Sequence, residues 1–208
     1  MAQPEPGTDR DHSSRTLGRN VYALAAVSFF TDVSSEMIYP LLPVFLTTVL
    51  GVGAGFIGAI EGTAESISAL LKLASGWWSD RVRRRKPMVV AGYALASAVR
   101  PLVAIAQSAM QVLLIRVSDR VGKGIRNAPR DALIADSIHP SVRGRAFGVR
   151  SAADNAGALL GPLIAFAILS WWHVSLRTVF WLAAIPGVIA VIVAIVGVRE
   201  IRQQRTAT

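Results

Sequence analysis

The sequence has no cysteine and only three histidines, His12, His139 and His173. The first absence excludes disulfides and thiolate metal sites. The histidines fall in a polar tail or in short connections, which speaks against a histidine-lined metal site among the apolar segments. Charge is scarce as well: 17% of the residues are Asp, Glu, Lys or Arg, against about a quarter in an ordinary soluble domain. There is no nucleophile–base pair at a recognisable spacing, no metal cluster and no phosphate-binding glycine loop. Neither an enzymatic activity nor a cofactor is therefore expected. The first nineteen residues lack the apolar core and cleavage site of a signal peptide, and their Pro, Asp, Ser and Arg content reads as a disordered tail.

What the chain does have is apolar length. Of its 208 residues 52% are hydrophobic, the mean hydropathy is +0.46, and the excess is gathered into runs. About 20 helical residues cross a bilayer core of roughly 30 Å. Six runs meet that measure, near 20–46, 56–78, 88–107, 110–136, 147–171 and 178–198. They do not alternate as barrel strands would. The fold class expected is all-α integral membrane, a six-helix bundle over 20–200 with polar tails at 1–19 and 201–208.

A net charge of +9 suggests nucleic acid until its placement is read. Arg10, Arg15 and Arg19 precede the first helix, and Arg81, Arg83, Arg84, Arg85 and Lys86 lie between the second and third. Arg143 and Arg145 lie between the fourth and fifth, and Arg199, Arg202 and Arg205 follow the sixth. The alternate connections carry only Arg177. This is the positive-inside pattern, which places both termini in the cytoplasm and makes the basic charge a topology signal, not a nucleic-acid site.

Ionisable side chains at membrane depth are costly and mark function by default. Asp32 and Glu36 lie four apart on one face of the first helix. Glu61, Glu65 and Lys72 share a face of the second, Arg100 sits in the third and Asp154 in the fifth. The fourth carries Arg116, Asp119, Arg120, Lys123, Arg126 and Arg130 at helical spacing, followed by Asp131. Helices one, two and four are thus expected to line a wet interior, with Glu61, Glu65, Arg100, Arg116, Asp119 and Lys123 as cavity residues. Apolar helices three and six suit lipid, and Arg126 and Arg130 suit salt bridges with Asp131 and its neighbours. The basic stripe suggests an anionic or zwitterionic solute. Neutralisation by Glu61 and Glu65 would equally leave a site for a neutral or cationic one.

The connection after the second helix reads Gly76-Trp77-Trp78-Ser79-Asp80-Arg81-Val82-Arg83-Arg84-Arg85. It resembles the signature loop of the major facilitator superfamily, G-x-x-x-D-R-x-G-R-R, with Arg83 in place of glycine. Arg120-Val121-Gly122-Lys123-Gly124 resembles the family's R-x-x-Q-G motif, and the likeness continues through Asp136 to Gly148. Gly157-Ala158-Leu159-Leu160-Gly161-Pro162 resembles the antiporter motif of the fifth helix, and its Gly157–Gly161 spacing equally suits close packing. Glu36 through Pro43 resembles the family's opening helix, where proton-coupled members often carry an acid. Together these cover about residues 20–200.

The resemblance implies one six-helix half of a proton-coupled, antiporter-like transporter of drugs or metabolites in the bacterial inner membrane. It implies that Asp136 pairs with Arg84, and that Asp80 reaches toward the other half. It also implies that Asp32 or Glu36 couples protons with Arg120 as charge partner. Six helices alone would leave the polar faces against lipid. Either the chain is a fragment, or a second six-helix half is expected as partner, a distinct subunit in preference to a second copy, alongside solute, protons and bilayer. The competing reading is an accessory membrane subunit that transports nothing.

Overall fold

The computed structural model describes residues 17–79, 81 and 84–201. Asp80, Arg83 and most of both expected tails lie outside the described residues. Each of the six apolar runs is a helical span whose ends agree with the sequence reading to within about a turn.

The first span is α1, Arg19–Glu36, followed by a single 3-10 turn at Tyr39–Leu41 and by α2, Leu42–Thr48. Proline causes the break. It lacks an N–H and clashes with the carbonyl four residues back, so Pro40 and Pro43 each sit in the first turn of a new segment. The second span is α3, Ala54–Ser79. The third starts as α4, Lys86–Val99, and tightens at Pro101 into a 3-10 stretch, Arg100–Ile105. The fourth and fifth are the long helices α5, Ala109–Asp136, and α6, Arg143–Trp172. The sixth divides into α7, Leu176–Leu182, and α8, Ala184–Gly197.

By length and composition four spans suffice to cross a membrane: Arg19–Thr48, Lys86–Ile105, Pro140–Trp172 and Leu176–Gly197. With 26 and 28 residues, α3 and α5 reach about 39 and 42 Å at 1.5 Å per residue. They fall short of that class because of their charges, the feature that first marked them as lining helices.

The packing is paired. α1 lies against α6 on one side and α8 on the other, while α5 lies against α3 and α4. α4 meets α8, and α1 touches α5. Spans one and four thus play matching roles in two three-helix sets, the relation of nested inverted repeats. Close crossings rest on glycine: a Cβ on Gly92 would stand 2.6 Å from the Gly122 carbonyl, and one on Gly122 would stand 2.7 Å from that of Gly92.

Two apolar clusters bracket a polar belt. One gathers Ile38, Phe45, Ile60, Val112 and Phe180; the other, toward the basic end, gathers Val21, Val89, Tyr93, Leu133 and Ala194. Helix three matches the expected lipid-facing span on one side only, where Pro87, Ala91 and Ala98 are exposed. One face of α4, with Val89, Gly92, Tyr93, Ala96 and Ser97, is buried, and Arg100 follows at its end. The open sides belong to α3, to α6, whose most apolar window is only 17% buried, and to α8 of the sixth span, which exposes Ile185, Val188, Ile192 and Val196 as expected.

Candidate functional site

The site is assembled on α5, whose charges recur every three or four residues and so project from one side. Its centre is Asp119. Arg100 Nε donates to Asp119 Oδ1 at 2.7 Å, and the Tyr39 hydroxyl donates to Oδ2. Arg100 Nη1 also donates to the Thr31 carbonyl at 3.1 Å. The Arg100 and Asp119 side chains are 3% and 2% exposed. Arg100 therefore belongs to the seam joining spans one, three and four, not to the cavity wall expected of it. The two proline-weakened points, after Glu36 and after Val99, meet at this cluster.

A second layer ties α5 to α3. Arg116 presents two donors to Glu61, with Nε to Oε1 at 2.8 Å and Nη2 to Oε2. Its guanidinium also stacks 3.7 Å from the centre of the Tyr39 ring. One turn on, Arg120 Nε meets Glu65 Oε2 at 3.3 Å. Glu61 and Glu65 are 43% and 65% exposed, so the acids open onto the uncovered side while their arginines lie inside. Arg120, expected to partner Asp32 or Glu36, is thus engaged by Glu65. Arg130 pairs with Asp131 at 3.1 Å as expected, but Arg126 stacks on Tyr93 at 4.2 Å with buried Nε and Nη1 lacking hydrogen-bond partners.

Asp32 and Glu36 stand apart. Among the described residues the other acids are all engaged: Glu61, Glu65, Asp119, Asp131, Asp136 and Asp154 by arginines, and Glu200 by backbone N–H groups. These two side chains have neither an ion pair nor a hydrogen bond among the described residues. The charged groups facing Asp32 are Asp154, Arg126, Arg100 and Lys123. Both acids lie on the seam between α1 and α6. A Cβ on Gly157 would come 2.5 Å from the Phe29 carbonyl and 3.1 Å from Asp32 Cβ; one on Gly161 would come 2.7 Å from Glu36 Cβ. Glycines four apart thus face acids four apart, with the two helices running in the same direction.

The signature loop is described only in part. Arg81 stacks on Trp77 at 3.6 Å and donates to its carbonyl at 3.1 Å. Gly76 has only ordinary contact, since a Cβ there would lie 3.8 Å from that of Ala128. Close packing therefore does not explain it. Asp136 pairs with Arg85 instead of Arg84, which is exposed. Pro162 lies inside α6. Sequence reasoning missed the clasp at this end. Asn20 Nδ2 donates to the Arg199 carbonyl at 2.9 Å, Arg199 N returns to Asn20 Oδ1 at 2.8 Å, and Glu200 caps α4. An asparagine opening a helix and a glutamate closing one were the available signals.

The family model of the Major Facilitator Superfamily matches residues 24–207. The chain is 39% identical over 182 residues to an uncharacterized MFS-type transporter of Methanocaldococcus jannaschii, covering 88% of this chain and 45% of that protein. It is 33% identical over 171 residues to the multidrug resistance protein MdtG of Serratia proteamaculans, covering 80% of this chain and 40% of that one. A bacterial homolog of the human lysosomal transporter Spinster, inward-facing and unoccupied, superposes with a TM-score of 0.74 at 19% identity. That superposition covers 89% of this chain and 44% of the homolog. A peptide transporter POT in complex with sulfate superposes with a TM-score of 0.76 at 19% identity, covering 91% of this chain and 41% of that one. The chain spans less than half the length of these relatives. It belongs to the major facilitator superfamily of transporters, and its fold is one six-helix half of theirs.

Proposed function

We propose that this chain is half of a secondary active transporter that exports a small organic solute in exchange for protons, working by alternating access between two six-helix bundles. The observation that carries the reading is the isolation of Asp32 and Glu36. A carboxylate without a partner at a helix seam can take up a proton, and a cation brought against it displaces that proton, so rocking of bundles would load and unload it. Unengaged cations stand on α5: Lys123 and Arg126 pair with no carboxylate among the described residues. Arg120 joins them once Glu65 lets go.

The surface supports a second bundle. α3 exposes Leu70 and Leu73 together with Glu61 and Glu65, and α6 exposes Leu159, Leu163 and Phe166. Lipid is a poor cover for those carboxylates, and a second six-helix half is a good one. A distinct subunit is preferred to a second copy, because the signature loop and the α6 glycines are features of this half. Since Arg116 and Arg120 are neutralised by α3, the two free acids of α1 stand against two uncommitted cations of α5, Lys123 and Arg126. That balance favours a neutral solute over an anion, and the multidrug resistance relatives agree with an organic one. The basic loops support both termini in the cytoplasm of a bacterial inner membrane.

The test uses a solute chosen by stability-shift screening of metabolites and drugs. Uptake into inverted vesicles driven by an imposed pH gradient is expected for the unaltered protein with its partner half. It is expected to vanish for Asp32→Asn or Glu36→Gln. Proton coupling through span one is wrong if both variants keep pH-driven transport. Absence of any solute that shifts stability favours an accessory subunit instead.

A further inference from the structure

The basic end of the bundle has a groove on its outer side, where the start of α4 meets the end of α8. Its volume is about 700 Å³, and it is lined by Arg84, Lys86, Pro87, Val90, Ile195 and Glu200. The one acid is already satisfied. Glu200 accepts from Arg85 N at 2.9 Å and from Lys86 N at 3.0 Å, the otherwise unpaired donors of a helix start. Lys86 Nζ gives one hydrogen bond to the Ile195 carbonyl at 2.7 Å and has two donors left. Arg84 is exposed and makes no hydrogen bond or ion pair among the described residues. The groove therefore presents uncommitted positive charge.

Its other wall is grease. Pro87, Val90 and Ile195 line it, and beyond Ile195 the exposed Ile192 and Val188 continue one stripe of α8 away from the charged rim. From 195 to 188 that stripe runs about 10 Å at helical rise. A cationic rim followed by an apolar track matches a molecule with an anionic head and a hydrocarbon tail. A small soluble anion would leave the track unused. We propose that this groove holds one anionic phospholipid, its phosphate against Arg84 and Lys86 and an acyl chain along Val90, Ile195 and Ile192. Such a lipid would brace the α4–α8 contact that joins the two three-helix sets. The proposal does not depend on what the protein transports.

The purified chain in neutral detergent tests it by thermal unfolding with added phosphatidylglycerol, phosphatidylcholine of the same acyl chains, or inorganic phosphate. Phosphatidylglycerol is expected to raise the midpoint by about 2–4 °C, an effect that shrinks as salt is added. Phosphatidylcholine and phosphate are expected to do little. Arg84→Gln with Lys86→Gln is expected to lose the difference between the two lipids. Should that pair fail to fold, Arg84→Glu alone decides, since this exposed side chain contacts no described partner. Equal shifts from the two lipids, an equal shift from phosphate, or a full phosphatidylglycerol response in the variants would each overturn the proposal.

Discussion

Asp119 and Asp32 share a neighbour, Arg100, and are treated in opposite ways. Asp119 accepts from Arg100 and Tyr39 and is sealed from solvent. Asp32, half-buried, receives no side-chain hydrogen bond or ion pair among the described residues. A buried charge with all its partners is a joint: every part of it opposes movement. A charge without partners gains from any change that supplies one, by protonation or by approach of a cation. The same bundle therefore holds a pinned point, where spans one, three and four meet, and an unpinned acid, where α1 packs directly on the glycines of α6.

Breaking the joint should give the largest effect. Arg100→Met leaves Asp119 buried with the Tyr39 hydroxyl and with Arg116 Nη1 at 4.0 Å. Removing one partner of a buried pair costs about 3–5 kcal/mol. Unfolding in micelles is expected to shift down by about 6–20 °C at 2–4 °C per kcal/mol for a chain of this size. Asp32→Asn in the same assay is expected to leave the midpoint unchanged or raise it, because the charge it removes has no partner. Equal losses in the two variants would erase the distinction.

The glycine seam is next. Gly157→Ala places a methyl group 2.5 Å from the Phe29 carbonyl, and backbone must move to admit it. Such overpacking costs about 1–3 kcal/mol. Gly58→Ala is the control of opposite sign. A Cβ there meets nothing within 4 Å, and alanine gains up to about 1 kcal/mol of helix propensity. Unfolding midpoints that fall for the first and hold or rise for the second would locate the constraint in the α1–α6 contact, not in glycine as such.

The spans were legible because bilayer thickness and charge placement act along the chain, one segment at a time. The polar faces of α3 and α5 were legible for the same reason. Pairing was not. Which of Arg84 and Arg85 meets Asp136, and whether Arg120 turns to Glu65 or to the acids of span one, depends on helix neighbours and rotation. No single helix's periodicity carries those. Arg100 shows the limit well: the sequence marks it as an intramembrane charge, but only the packing of α4 on α5 separates a seam from a cavity wall. Gly157 and Gly161 are the converse case. Their spacing announces close packing, and the register of α1 against α6 adds what is packed there.

The smallest expected change sharpens the comparison most finely. Glu61 and Glu65 hold neighbouring arginines of α5, but Arg116 is sealed under Tyr39 while the Glu65 carboxylate is 65% exposed. Glu61→Gln weakens the charge pairing of a buried guanidinium and is expected to cost about 1–3 kcal/mol. Glu65→Gln breaks a screened pair and is expected to cost less than about 1 kcal/mol, less still in high salt. Its effect should appear elsewhere. Arg120 is then free to turn toward Asp32 and Glu36, so the pH dependence of solute binding should shift while the unfolding midpoint barely moves. A variant that alters neither binding nor its pH profile would leave Arg120 a tether of α3 and return the counter-charge role to Lys123 and Arg126.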